Sequence, residues 1–170
     1  MQIAARNGSI IMLEILRQYG GSIDSCGPKG DTLFHLAAYN GHLDTMKWLH
    51  TNGIDSAALD QLGQSVVHVA AKRGEPHILL YLRDEINADF SILDNENRGP
   101  GDCVSKYAED DETKSKLDNC KKIISSAKAN ILKRSKKLEK LDENAIKLLV
   151  EKASLNPHSN GNNEILLETS

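Results

Sequence analysis

Aromatic side chains are scarce in this chain: two Phe, one Trp and four Tyr make up 4% of its 170 residues. A core with so few rings must be built from Leu, Ile, Val and Ala. That suits small helices in close contact and disfavours an aromatic-rich β-sandwich. Cysteine is equally thin. Cys26, Cys103 and Cys120 are odd in number, widely spaced and contain no CxxC pair. This excludes a secreted disulfide framework and a thiolate zinc site, and reduced thiols inside a cell are the simpler expectation. No apolar run approaches the roughly 18 residues of a membrane span. The opening "MQIAARNGSI" lacks the apolar core of a signal peptide. Charge is nearly balanced, at a net -3. Attraction to nucleic acid or to a membrane surface is therefore not expected to be the main business of the chain. The expected compartment is the cytoplasm.

What the sequence does have is an internal repeat. "GDTLFHLAAYNGHLDTMKWLHTNGID" (Gly30 to Asp55) lies above "GQSVVHVAAKRGEPHILLYLRDEINAD" (Gly63 to Asp89) at a step of 33 residues. The step takes Thr32 to Ser65, His35 to His68, Ala37-Ala38 to Ala70-Ala71, Gly41 to Gly74 and Leu49 to Leu82. One step back, Gly41 falls on Gly8 and Ala37-Ala38 on Ala4-Ala5. Thr32 and Ser65 are suited to cap a short helix, because a hydroxyl accepts from its first free amides. The paired alanines let two helices approach closely. Gly41 and Gly74 suit a left-handed helix end. Leu43, Met46 and Leu49, then Ile78, Leu79 and Leu82, give a second helix its apolar stripe. Pro76 sits in the first turn of that helix, where proline is tolerated. Trp48 is expected in the core between repeats.

"TLFHLAAYNGH" resembles the ankyrin repeat, whose hallmark is Thr-Pro-Leu-His-x-Ala-Ala followed by Gly-His. It matches at Thr32, His35, Ala37, Ala38, Gly41 and His42 and departs at Leu33, where the family has proline. "SVVHVAAKRGE" departs likewise, with Ser65 for threonine and Val66 for proline. A degraded copy, "DNENRGPGDCVSKYA" (Asp94 to Ala108), keeps the proline as Pro100 and puts Asp102 in the histidine slot. The resemblance covers residues 1–124. It implies an all-α solenoid of helix-turn-helix repeats joined by hairpin loops: a truncated first repeat, two full ones and a degenerate last one. Such units bury their apolar faces only by stacking. The first copy lacks its hairpin and most of its first helix, so the chain is expected to be a fragment of a longer array. An N-terminal cap adapted to have no neighbour is the alternative.

After the repeats, "SAKANILKRSKKLEKLDENAIKLLVEKA" is rich in helix formers and free of Gly and Pro. Ile124, Ile131, Leu138 and Ala145 recur every seven residues, with Ala127, Leu141 and Leu148 on the companion positions and Arg134 interrupting them. Residues 125–153 are therefore expected to be helical. Two readings stand: a lid folded back on the last repeat, and a coiled coil that pairs two chains as a homodimer. The order of degenerate repeat and then coiled-coil-like helix is similar to that of synphilin-type proteins. The Asn- and Ser-rich tail, 154–170, is expected to be flexible. "LKRSKKLEK" (Leu132 to Lys140) keeps the nucleus as an alternative compartment, although neighbouring acids make a solvated helix face the simpler reading.

His35 and His68 invite a metal or acid-base reading. Repeat geometry argues against it: matching slots in stacked units stand about 10 Å apart, the spacing of packed helices. A zinc site needs its ligands in one cluster. In the family this histidine bonds backbone at the loop-helix junction, so the expected role of Thr32, His35, Gly41, Ser65, His68 and Gly74 is structural. No Ser-His-Asp relay and no phosphate-binding glycine cluster is present in the sequence. No enzyme activity, metal or cofactor is expected. Ankyrin proteins meet other proteins at the hairpin tips and the exposed face of the first helix. Carried over by position, the tips are Pro28, Lys29 and Asp31, then Gln61, Leu62 and Gln64, then Asn95, Glu96 and Arg98. The helix positions are Tyr39 and Asn40, Lys72 and Arg73, and Lys106 and Tyr107. Their chemistry changes from copy to copy, as a read-out surface on a constant frame would. The expected partner is another protein or peptide segment, with no nucleic acid and no membrane span.

Overall fold

Thr32 and Ser65 each start a helix pair. In the computed structural model, which describes residues 1–104 and 111–155, these pairs repeat along the chain with no strand among the described residues. The first pair is α1 (Gln2–Arg6) and α2 (Ile10–Gln18). The second is α3 (Leu33–Tyr39) and α4 (Leu43–Thr51), and the third is α5 (Val66–Arg73) and α6 (Pro76–Asp84). Among its described residues the degraded copy forms α7 (Pro100–Cys103), and the long α8 (Asp111–Leu155) follows. Contacts divide the chain into two units, residues 1–129 and 130–170.

The core of the first unit is aliphatic, as the shortage of rings requires. Ala37, Ala38, Ala70 and Ala71 are fully buried, with Leu33, Met46, Leu49, Ile78, Leu79 and Leu82 around them. Phe34 and Phe90 are the only phenylalanines, and both are buried. Trp48, expected in the core, is only half-buried. Its indole N–H reaches Glu14 of the preceding repeat at 3.2 Å. Ile3 holds, one repeat earlier, the slot of Leu36 and Val69. Those two are 7% and 8% exposed, whereas Ile3 is 75% exposed.

Hairpins join the pairs, and they are tied to one another through backbone. The Gln61 N–H donates to the Lys29 carbonyl at 3.0 Å, and the Asn95 N–H donates to the Leu62 carbonyl at the same distance. Gly63 stands between these ties at φ +70°, and a Cβ there would meet the Asn95 side-chain oxygen at 2.5 Å. Both the left-handed backbone and the close approach require glycine at this position.

The chain from Asp111 to Leu155 contains no Gly or Pro, so nothing in it stops a helix. Within the first unit, α8 buries Leu117, Cys120, Ile123, Ile124 and Ala127. Leu117 packs over Gly74, Ile124 lies beside Gly101, and Ser126 accepts from Arg83 at 3.3 Å. The opening half of α8 thus covers the last helices of the repeats. In the second unit Leu132, Leu138, Leu141, Ile146 and Leu148 are all exposed, and Ile131 is half-buried. Among the described residues, no helix is long and apolar enough to cross a membrane.

Candidate functional site

Two histidines fix the frame on which the site is built. His35 sits three residues into α3, and its Nδ1 faces both the Thr32 backbone N–H (3.4 Å) and the Thr32 hydroxyl (2.9 Å). The Thr32 hydroxyl oxygen in turn accepts from the His35 N–H, closing a capping box. Because Nδ1 accepts from a backbone N–H, Nε2 must carry the proton. It donates across the repeat boundary to the Gln64 carbonyl at 3.1 Å. His68 repeats the pattern with Ser65 N–H (3.2 Å), Ser65 hydroxyl (2.9 Å) and the Arg98 carbonyl (3.1 Å). Burial disfavours the imidazolium in both and pushes both pKa values below the ordinary 6.5. In the degraded copy Asp102 keeps the local half of the device, accepting from Gly99 N–H at 2.9 Å.

Two aspartates organise the hairpins, and no repeat signature pointed to them. Asp60 Oδ1 accepts from Leu62 N–H and Gln64 N–H, each at 2.8 Å. Asp94 Oδ1 accepts from Glu96 N–H and Arg98 N–H, each at 2.9 Å. Its Oδ2 accepts from Arg98 Nε and Nη2 and from Gln64 Nε2. The Arg98 guanidinium, with these other donors, holds the Asp94 carboxyl well below the usual carboxylate range. The available signal was spacing: each aspartate stands three residues before a left-handed turn residue, Gly63 or Asn97.

These ties decide which expected partner residues face outward. Gln64 is 4% exposed and is spent on Asp94. Arg98 is held by Asp94 and Glu96, both at 2.8 Å. Lys72 and Arg73, adjacent in sequence, have different roles. Arg73 Nε donates to the Tyr39 carbonyl at 3.0 Å, and its guanidinium lies 4.5 Å from the Tyr39 ring centroid. It joins α5 to α3 by a hydrogen bond and a cation–π contact. Lys72 has no hydrogen bond or ion pair among the described residues. Asn40 turns back to donate to the Leu36 carbonyl at 2.8 Å. Gln61 is exposed, and its carbonyl accepts from Asn95. Lys106 and Tyr107 lie outside the described residues.

What remains converges. Lys29, Asp31, Tyr39, Asn40, Leu62 and Lys72 line one groove of about 430 Å³. Arg6, His35, Leu36, Asp60, Gln64 and Val69 complete it. Arg6 was not anticipated. It belongs to the first, truncated copy, and its carbonyl is held by His42 Nε2 at 2.9 Å, so the backbone beneath it is fixed by the next repeat. Chemically the groove offers an apolar floor, exposed cations and a half-exposed phenol, with no nucleophile. Burial raises the Cys103 and Cys120 thiols, the latter to about 11, which leaves both poorly nucleophilic at neutral pH. No cluster of three metal-ligating side chains occurs among the described residues.

Comparison with known proteins agrees with this architecture. The chain is 35% identical over 85 residues to the Notch-regulated ankyrin repeat-containing protein of Xenopus laevis, a match covering 48% of this chain and 75% of the relative. It is 30% identical over 83 residues to mouse protein phosphatase 1 regulatory subunit 27, covering 49% of this chain and 53% of the relative. A Caenorhabditis elegans homolog of transient receptor potential cation channel subfamily A member 1 matches at 27% over 125 residues, 73% of this chain and 10% of the relative. The family model for ankyrin repeats, in three copies, matches residues 1–94, more than half of the sequence, and the chain belongs to the ankyrin-repeat family.

Proposed function

We propose that this protein is an interaction module, a scaffold or adaptor that binds a segment of another protein in the groove between its hairpin tips and the first helices of its repeats. Ankyrin repeats generally mediate protein–protein contact, and the observation that carries the reading is a division of labour. The residues that recur every 33 positions are spent on backbone caps and packing. The residues that change between copies, Lys29, Tyr39, Leu62 and Lys72, are exposed on one concavity. A tyrosine beside an apolar floor and a cation is the composition enriched at interface hot spots. The mechanism is binding alone, with no bond made or broken, and the proposed compartment is the cytoplasm, the nucleus being the alternative.

A triple Tyr39→Ala, Leu62→Ala, Lys72→Ala variant is expected to lose at least about tenfold in affinity for a partner captured by the intact chain, the cost of one or two hot-spot truncations. Titration calorimetry measures it. Equal affinity in the two proteins would place the binding face elsewhere.

A second reading rests on a different observation. Leu138, Leu141 and Leu148 form an exposed apolar seam in the second unit. The seam is shorter than the heptad pattern suggests, because Ile124 and Ala127 are buried in the first unit. We propose that two chains pair along it, an assembly role that the layout resemblance to synphilin-type proteins accompanies. Sedimentation equilibrium of the full chain should then show a concentration-dependent dimer that Leu138→Lys with Leu141→Lys abolishes. A monomer at all concentrations up to about 100 µM, a range that covers ordinary specific association, would remove this reading.

A further inference from the structure

The groove contains more positive charge than its neighbours neutralise. Arg6, Lys29 and Lys72 all line it, and none has an ion-pair partner among the described residues. Arg73, stacked on the lining Tyr39, brings a fourth cation to the rim. Two carboxylates, Asp31 and Asp60, share the groove, but Asp60 Oδ1 is committed to two backbone amides of its own hairpin. The groove is thus net positive in a chain whose net charge is -3. Between the cations the floor is apolar, made by Leu36, Leu62 and Val69.

We infer that the occupant of the groove is an acidic peptide segment in which Asp or Glu alternates or flanks with Leu, Ile or Val. This deepens the groove reading and rests on it. Unpaired cations on a fixed frame select carboxylates because the attraction needs no rearrangement of the protein, and like charge on the wrong partner is repelled. The apolar floor accounts for the aliphatic residues between the acids. A polynucleotide fits less well. The lining presents one exposed ring, too few to stack successive bases.

The test uses the full chain and three fluorescein-labelled 12-residue peptides, alternating Glu with Leu, Gln with Leu, and Lys with Leu. Fluorescence anisotropy is read at low salt. The Glu peptide should bind about tenfold or more tighter than the Gln peptide, the sum expected of about three modest ion pairs. Its advantage should shrink as salt shortens the range of the attraction. A Lys29→Glu, Lys72→Glu variant should erase the preference or pass it to the Lys peptide. Both lysines are exposed, and unchanged circular dichroism verifies that the variant is folded. A preference that survives this charge reversal overturns the inference, as does a failure of the Glu peptide to bind at all. Equal binding of all three peptides, lost in the Tyr39→Ala, Leu62→Ala background, overturns the acidic class and leaves the groove reading standing. Peptide binding indifferent to both variants overturns the groove itself. A single-stranded oligonucleotide that binds this groove more tightly than the Glu peptide overturns the choice of a peptide.

Discussion

His68→Ala is expected to cost the repeat unit about 3–5 kcal/mol, the sum of a cavity term and the desolvation of orphaned polar groups. The imidazole is fully buried. Its loss strands the Ser65 N–H at the start of α5 and the Arg98 carbonyl in the next loop, both of which it satisfies. It also uncouples two repeats, which in a solenoid hold one another folded. Natural domains of this size are stable by about 5–15 kcal/mol, so one such change removes a large share. Urea denaturation followed by circular dichroism measures it, and a loss under about 1 kcal/mol would show that water or a rearranged loop replaces the ring. His68→Asn separates the two halves of the device. A short amide can still accept from Ser65 N–H, as Asp102 accepts from Gly99 in the last copy, but it does not reach the Arg98 carbonyl. Its cost should fall between wild type and alanine.

The same histidines set a pH dependence. Both have folded-state pKa values below the ordinary 6.5, chiefly because burial disfavours the charged ring. The unfolded chain therefore binds more protons as pH falls through 6.5. Their stabilising contribution is complete above that value and is lost on acidification towards the folded pKa, by at most about 1.4 kcal/mol per pH unit for each ring. The depressed Asp94 carboxyl adds its own loss only lower, as pH falls below the ordinary 3.8. The urea midpoint should thus be lower at pH 5 than at pH 8, and the slope shallower in His68→Asn. A midpoint flat over this range would contradict the buried neutral rings.

Much of this was legible because it repeats. Thr32 with His35 and Ser65 with His68 stand in the same relation 33 residues apart, so one physical explanation serves both pairs. The alternation of paired alanines and terminal glycine announced close helix packing in the same way. What was not legible lies in contacts that cross repeat boundaries through side chains. Gln64 and Arg98 look like free tip residues until Asp94 is seen to collect both. Arg73 looks equivalent to Lys72 until it is seen stacked on Tyr39. These pairings depend on the rise and twist between neighbouring units, which a one-dimensional pattern does not contain. The start of the last helix was not legible for a related reason, although the sequence changes character near residue 125. Composition changes there, but helix propensity does not, and α8 begins at Asp111 and runs through that point.

That continuity leads to the second large effect. A chain ending at Asp110 is expected to lose cooperative unfolding and to aggregate, whereas a chain ending at Ala129 should melt like the full protein. The two truncations differ by the first five turns of α8. Those turns bury Leu117, Ile123 and Ile124 and the nearly inaccessible Cys120 and Ala127. Full burial of an aliphatic side chain contributes about 1.5–3 kcal/mol, so the three large residues alone represent about 5–9 kcal/mol of transfer free energy before the entropy of ordering the helix. Removing them also leaves the apolar surface beside Gly74 and Gly101 open to water, and exposed patches of this kind drive association. Solenoids need a polar-backed end unit for solubility. The outward positions of this stretch, Lys114, Lys116, Asp118, Lys121 and Lys122, supply that polar back. Beyond residue 129, Leu132, Leu138 and Leu141 are exposed. Calorimetry of both truncations against the full chain decides the matter. If the chain ending at Asp110 melts cooperatively within a few degrees of the full protein, a shift worth under about 1 kcal/mol, then α7 and the preceding hairpin close the array unaided, and α8 is an appendage to the repeats.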